Sequence, residues 1–401
     1  MFIPHLDQIS PILDRFGSPI FITDASVIRN RVSKFLKDFG NKNIKIFYAI
    51  KSNFNPHVVK IIKDAGIYGI DAVSPNEIRL ALDLGYRPEQ IIFTPSNPTT
   101  EEIKWVVKHG VLQNLGSLSE LKRFSVVSPK SPVSIRICPE VGGGEFEKIN
   151  TGGLDTKFGI TMNDVDEVKN ICAEFDLTLM GVHSHIGSGF YKPESFISSV
   201  SAVCNVARQF ETIEFVDFGG GFGVRYDPEK PAVDFSQFAR GIQPIIETYN
   251  SDTGKNLELR IEPGKALVSE STVLATKVTT IKNKGKNTFV GIDSGFANYI
   301  RPAMYGAYQH FINISNPNGP KQRVKIAGNI CETCDVFNTD IEINEAREGD
   351  ILVMLVAGGY GSAMSSNYNC RPTLPEVMID EENVTLTKKG QTYDQIIQNF
   401  I

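Results

Sequence analysis

Five short apolar runs in this chain end on residues that could do chemistry. Lys51 follows residues 44–50, in Tyr48-Ala49-Ile50-Lys51-Ser52-Asn53, and Arg136 lies near the end of 133–138. His185 and Ser188 follow 178–183, Gly219-Gly220-Gly221 follows 213–218, and Glu262-Pro263-Gly264 follows 257–261. A lysine carried just past a buried strand has a partly desolvated amine, which favours imine formation. The bland alternative is a surface lysine with a snorkelling stem. Three consecutive glycines let backbone N–H groups approach a phosphate and feed a helix N-terminus. A tight loop accounts for them equally well, and the G-x-G-x-x-G spacing of dinucleotide sites is absent. Glu262 could bond the nitrogen of a heteroaromatic ring and keep it protonated, or simply cap the next segment. His185 could lie flat against such a ring, or be a satisfied core histidine.

The elements that must position these residues alternate regularly. Eight β-branched runs (44–50, 69–73, 91–94, 111–115, 133–138, 178–183, 213–218 and 257–261) are separated by segments with helical apolar spacing, such as 56–65, 75–84, 101–108, 194–210 and 235–249. Pro56 and Pro75 sit where a helix tolerates proline, in its first turn. Eight successive β-then-α units predict an α/β fold with a closed (β/α)8 barrel, whose active site lies at the C-terminal mouth of the strands. The reactive residues above all fall on that rim. After Gly264 the pattern changes to alternating runs at 273–281, 288–292, 324–327, 351–356 and 384–387. These predict an antiparallel β domain, sandwich-like or Greek-key-like, to which the early run 19–23 could add a strand. The expected division is a barrel over residues 25–270, with 1–24 and 271–401 forming the second domain.

Composition narrows the function classes. The 401 residues carry 41 basic and 46 acidic side chains, a formal net charge of −5, with no basic stripe suited to a nucleic-acid backbone. The six cysteines (138, 172, 204, 331, 334 and 370) are too scattered for a disulfide framework and fit reduced thiols in a cytoplasmic protein. The N-terminus lacks a basic n-region and an apolar h-region, and the longest apolar stretch, 351–357, is too short to span a bilayer.

Six motifs occur in order: Tyr-Ala-Ile-Lys-Ser-Asn, His-Ser-His-Ile-Gly-Ser, Gly-Gly-Gly-Phe-Gly, Glu-Pro-Gly-Lys, Cys-Glu-Thr-Cys-Asp (331–335) and Gly-Tyr-Gly-Ser-Ala-Met-Ser-Ser-Asn-Tyr-Asn (359–369). Together they resemble the fold type III pyridoxal-phosphate decarboxylases, and within them the diaminopimelate decarboxylase family, over residues 18–380. The resemblance implies an alanine-racemase-like barrel, a C-terminal β domain, and a homodimer with active sites at the interface. It implies that Lys51 binds pyridoxal 5'-phosphate as a Schiff base while His185 stacks on the ring. Ser188, Gly219, Gly220, Gly221 and Tyr360 would hold the phosphate and Glu262 the ring nitrogen, with Arg136, Gly264 and Lys265 also lining the cofactor site. Cys331 of the partner subunit would reprotonate Cα, and Glu332 beside it would bind the distal ammonium. Arg301 and Tyr305 resemble the pair that grips the distal carboxylate, with Lys265 and Tyr360 also on the substrate.

The implied reaction is decarboxylation of meso-2,6-diaminopimelate to L-lysine. Two positions depart from the pattern. Lys265 stands where the family usually has arginine, keeping the charge but losing the planar fork, which leaves room for another substrate such as carboxynorspermidine or ornithine. The loop 141–146 is unusually rich in glycine and reads as a mobile loop, with the match resuming at Thr151-Gly152-Gly153 and Lys157-Phe158-Gly159. Cys331 and Cys334 form a C-x-x-C with no second pair at ligand spacing, so no metal is expected. A racemase places a cation at the ring nitrogen, against Glu262. A non-catalytic homologue that only binds partners would tend to lose Lys51 or Cys331.

Overall fold

The structure is a computed structural model that describes residues 1–40, 43–141 and 151–400. It divides into two compact units: Met1–Arg31 with Val224–Ala232 and Lys265–Ile401, and Val32–Gly223 with Val233–Gly264. The first strand, β1 (Ile20–Asp24), belongs to the former. The next eight form the latter as a closed parallel barrel in chain order. They are β2 (Ile44–Ala49), β3 (Gly69–Ala72), β4 (Ile91–Phe93), β5 (Leu112–Leu115), β6 (Pro132–Arg136), β7 (Thr178–His183), β8 (Phe215–Asp217) and β9 (Glu258–Ile261). All eight coincide with the runs read from the sequence, and closure comes from β2 on β9, with Ile44 opposite Leu259 and Ile46 opposite Ile261.

Local signals start the crossover helices. Asn55 accepts from the His57 N–H with Pro56 at the first position, Ser74 caps Pro75–Asp83, and Thr99 and Glu102 form a reciprocal capping box on Thr100–Lys108. Inside the barrel Phe47, Ile92 and Phe215 pack together. Gly181 on β7 leaves the room that Phe215 fills, since a Cβ there would stand 2.0 Å from that ring. Arg260 lays its guanidinium 3.5 Å from the centroid of the same ring. Side chains, not a channel, occupy the interior, as a barrel of this size requires.

The other unit is built on strands β10 (Thr272–Lys284), β11 (Asn287–Ile292), β12 (Phe311–Asn313), β13 (Lys321–Ala327), β14 (Val336–Asn344), β15 (Ile351–Met354), β16 (Glu376–Asp380) and β17 (Asn383–Lys388). The strand order is β14-β13-β11-β10-β1-β16-β17, with β15 pairing β10 and β12. The run at 19–23 does add a strand, between β10 and β16. Most pairs are antiparallel, but β1–β16 and β11–β13 run parallel, so the sheet is mixed. The physical reason is that these two pairs are joined by long connections, which do not impose the reversal that a hairpin such as β10–β11 does. β1 is buried on both faces. Ile20 and Ile22 join Val273, Val353 and Val377 against Ile9, Ile12 and Leu13 of the helix Leu6–Phe16, while Phe21 faces Leu274, Leu352 and Met354. Among the described residues no helix is long and apolar enough to cross a membrane.

Candidate active site

The C-terminal ends of the barrel strands bring together Lys51, Asp71, Arg136, His183, His185, Asp217, the loop Gly219–Gly221 and Glu262. Lys51 sits in the short turn Ile50–Ser52 directly after β2, and its Nζ lies 3.1 Å from Asp71 Oδ2 at the end of β3. Beside it, Gly264 packs against Ala49 and Ser52, where a Cβ would come within 3.2 Å of both. The Ala49 N–H donates to the Pro263 carbonyl, tying the Lys51 turn to the Glu262 segment.

Glu262 is buried, with Oε2 placed 3.2 Å from His183 Nε2. Burial, then the nearby Asp71 carboxylate, pushes its carboxyl above the usual range, while Lys51 and Arg136 pull the other way. Asp217 at the end of β8 is fully buried and accepts the Gly219 N–H at 2.9 Å; burial and Glu262 carry it up to about 8. Burial holds His183 down to about 4 and His185 well below the ordinary imidazole value. His185 Nδ1 accepts the Gly220 N–H at 3.1 Å, so this neutral ring carries its proton on Nε2. The His185 carbonyl in turn accepts from Arg136 Nη2 and from the Thr151 hydroxyl. Burial lowers the Arg136 guanidinium to about 10, and its flat face lies 4.5 Å from the Phe158 ring centroid.

The residues just after Ser188 are joined to the triple glycine by the backbone. The N–H groups of Gly189 and Phe190 both donate to the Gly221 carbonyl. Gly219 and Gly221 have φ of +64° and +93°, and a Cβ on Gly220 would stand 2.1 Å from the Glu262 carbonyl. Glycine is therefore required here by packing as well as by any phosphate. Two of the three glycine N–H groups turn inward, to Asp217 and His185.

The remaining predicted residues lie in the unit containing the mixed sheet. Lys265 is buried at the start of the short helix Lys265–Val268, and Arg301 is buried in Arg301–Tyr305. Both cations reach the Tyr226 ring, at 5.8 Å and 4.5 Å from its centroid. Tyr360 is half-buried with φ +57°, next to Gly359, whose position admits no Cβ beside Ser269 and Lys265. Tyr305 is half-buried. Cys331 and Glu332 are exposed: the Cys331 N–H donates to Asn369 Oδ1 and Glu332 accepts from the Tyr368 hydroxyl. Asp335 fixes the loop by accepting from Phe296 and Ile330. All six cysteines are free. Of the glycine-rich loop, residues 142–146 lie outside the described residues.

Reading motifs left Asp71, His183 and Asp217 without a role. The available signal was position, since each ends a barrel strand. A pyridine cofactor fits what is present. Glu262 keeps a buried oxygen, Oε1, with no partner among the described residues, able to accept a ring N–H, and an amine stands at the same mouth.

A barrel with this rim defines a class, and residues 25–269 match the family described as pyridoxal-dependent decarboxylase, pyridoxal binding domain. The chain is 35% identical to the diaminopimelate decarboxylase of Methanothermobacter thermautotrophicus, covering 96% of this chain and 92% of that one. It is 33% identical to that of Escherichia coli K12, covering 95% and 93%. The solved diaminopimelate decarboxylase of Helicobacter pylori, complexed with L-lysine, superposes with a TM-score of 0.89 at 27% identity over 97% of this chain and 98% of that one. This chain belongs to the diaminopimelate decarboxylase family.

Proposed function

We propose that this protein decarboxylates meso-2,6-diaminopimelate to L-lysine and CO2 in lysine biosynthesis, with pyridoxal 5'-phosphate as cofactor. The observation that carries the reading is the pairing, on one barrel rim, of an amine at Lys51 with a buried carboxyl at Glu262. When bound, the cofactor supplies an electron sink for the bond pair left as CO2 departs. Lys51 holds it through the amine, and Glu262 keeps its ring nitrogen protonated. His185, neutral, lies against the ring without adding charge. Arg136 braces the His185 carbonyl, and Ser188, Gly219, Gly220, Gly221 and Tyr360 hold the phosphate, with Gly264 and Lys265 lining the site.

For the substrate, Cys331 of the partner subunit delivers the proton to Cα, which requires a homodimer. Glu332 binds the distal ammonium, and Arg301 with Tyr305, supported by Lys265 and Tyr360, binds the distal carboxylate. Two cations about one tyrosine ring support an anion subsite. In this reading residues 25–270 form the cofactor-binding domain, residues 1–24 and 271–401 the second, and the enzyme works in the cytoplasm, as its free cysteines suit.

The test is CO2 release from purified protein given diaminopimelate stereoisomers, lysine, ornithine or arginine. Release from the meso isomer alone is expected. Release from ornithine in preference would favour a relative with another substrate, the reading that Lys265 in place of arginine keeps open. Protein that takes up no cofactor, with no absorbance quenched by borohydride, would sink both.

A further inference from the structure

Three buried groups at the barrel mouth carry polar atoms with no hydrogen-bond partner among the described residues: His183 Nδ1, Asp217 Oδ2 and Glu262 Oε1. One ligand atom from each lies within 4.8 Å of the others. His183 Nε2 stands 3.2 Å from Glu262 Oε2, and Asp217 Oδ1 is taken by the Gly219 N–H. The Gly219 carbonyl accepts the Glu262 N–H, so one residue's backbone ties the Asp217 carboxyl to the Glu262 main chain. Two carboxylates this close and this dry cannot both be ionised. A neutral imidazole offers one N–H, and directing it at Glu262 leaves Nδ1 bare. One proton between the two acids satisfies the orphaned oxygens.

We propose that Asp217 is a positioning residue that carries this proton: as a neutral carboxylic acid it donates to Glu262 and, with His183, holds Glu262 anionic toward the cofactor's ring nitrogen. The inference deepens the function proposed above and rests on it. The charges around the pair decide which acid is neutral. Lys51 and Arg136 act on Glu262, against Asp71, whereas the cation near Asp217, Arg260, is already paired with Glu258 at 2.8 Å. The cations therefore favour the charge on Glu262, and a protonated ring nitrogen adds to that preference. Burial raises both carboxyls, in accord with a proton residing on the pair near neutral pH. The arrangement also links the glycine loop, through Gly219, to the carboxyl that faces the ring.

Infrared spectra of the cofactor-free protein test this directly. Wild type is expected to show the band of a buried protonated carboxyl, lost in Asp217→Asn and kept in Glu262→Gln. Loss in Glu262→Gln alone, or no such band in wild type, would overturn the proposal. With cofactor bound, Asp217→Ala is expected to shift the absorbance band and lower kcat about tenfold with KM little changed, the size of one lost buried hydrogen bond. Asp217→Asn, which keeps a donor toward Glu262 and an acceptor for Gly219, should recover most of the loss. An Asp217→Ala protein with the wild-type spectrum and pH profile would also overturn it. Should wild type bind no cofactor, the proposed function fails while the infrared result still decides the proton. Should Asp217→Ala not fold, Asp217→Asn and Glu262→Gln suffice.

Discussion

Lys51 and Asp71 face each other at the ends of adjacent barrel strands, with Nζ and Oδ2 3.1 Å apart. The carboxylate is fully buried and the lysine side chain 35% exposed, so the pair aims a solvent-reachable amine out of a dry base. The second Asp71 oxygen has no partner among the described residues. A buried carboxylate set beside an amine holds it in place without sealing it off.

Lys51→Ala should therefore lower turnover by about three orders of magnitude or more, since this amine is the group that holds the cofactor. Borohydride treatment of the cofactor-loaded wild type should leave a pyridoxyl group on the peptide containing Lys51, read by mass spectrometry. An adduct on a different lysine would show the assignment to be wrong.

Mixing inactive Lys51→Ala with inactive Cys331→Ala tests whether one site draws on two subunits. If Cys331 serves the partner's Lys51, random dimers should regain about a quarter of wild-type activity. Assay after co-refolding measures it. No recovery, with dimers present by ultracentrifugation, would place both residues in one subunit's site.

Stability of the cofactor-free protein should fall as pH rises from 6.5 to about 8. Asp217 and Glu262 have raised folded values, so the folded pair holds a proton that the unfolded chain has released. Their contribution is present at low pH and lost on passing upward through the folded value. His183, lowered to about 4, works in the opposite sense but only below its ordinary 6.5, where the unfolded chain takes up a proton that the folded one refuses. His185 adds to that lower window. Above it the carboxyl pair acts, with a limiting slope of about 1.4 kcal/mol per pH unit for the one proton it holds. Urea unfolding across the window checks this, and Asp217→Asn should flatten the curve. A rise with pH would contradict the burial of these acids.

Gly220→Ala should cost about 1–3 kcal/mol of stability and weaken cofactor binding, because the added methyl meets a backbone carbonyl that cannot give way easily. Its Cβ would stand 2.1 Å from the Glu262 oxygen. Thermal unfolding with and without cofactor separates the two effects. Unaltered stability would mean that the loop moves freely.

Glu332→Ala should raise KM for diaminopimelate about tenfold or more with a smaller effect on kcat, through loss of a charge-assisted bond. Tyr368→Phe, which frees Glu332 of its hydroxyl partner, is the companion measurement. An unchanged KM for Glu332→Ala would mean that the distal ammonium is read elsewhere.

The local pattern of the chain determined the eight barrel strands and, through them, the rim on which Lys51, Arg136, His185, the triple glycine and Glu262 meet. Strand period and helix caps are short-range properties, written within a few residues of each element. Only the tertiary structure decided which of these side chains touch. His183 and Glu262 are 79 residues apart in sequence, and they meet because β7 and β9 flank β8 in the barrel wall. Likewise Phe21 lies beside Glu376 in a parallel pair that no turn signal announces. The buried proton between Asp217 and Glu262 belongs to the same category. A carboxyl's charge depends on what surrounds it in space, and that surrounding exists only once the barrel has closed.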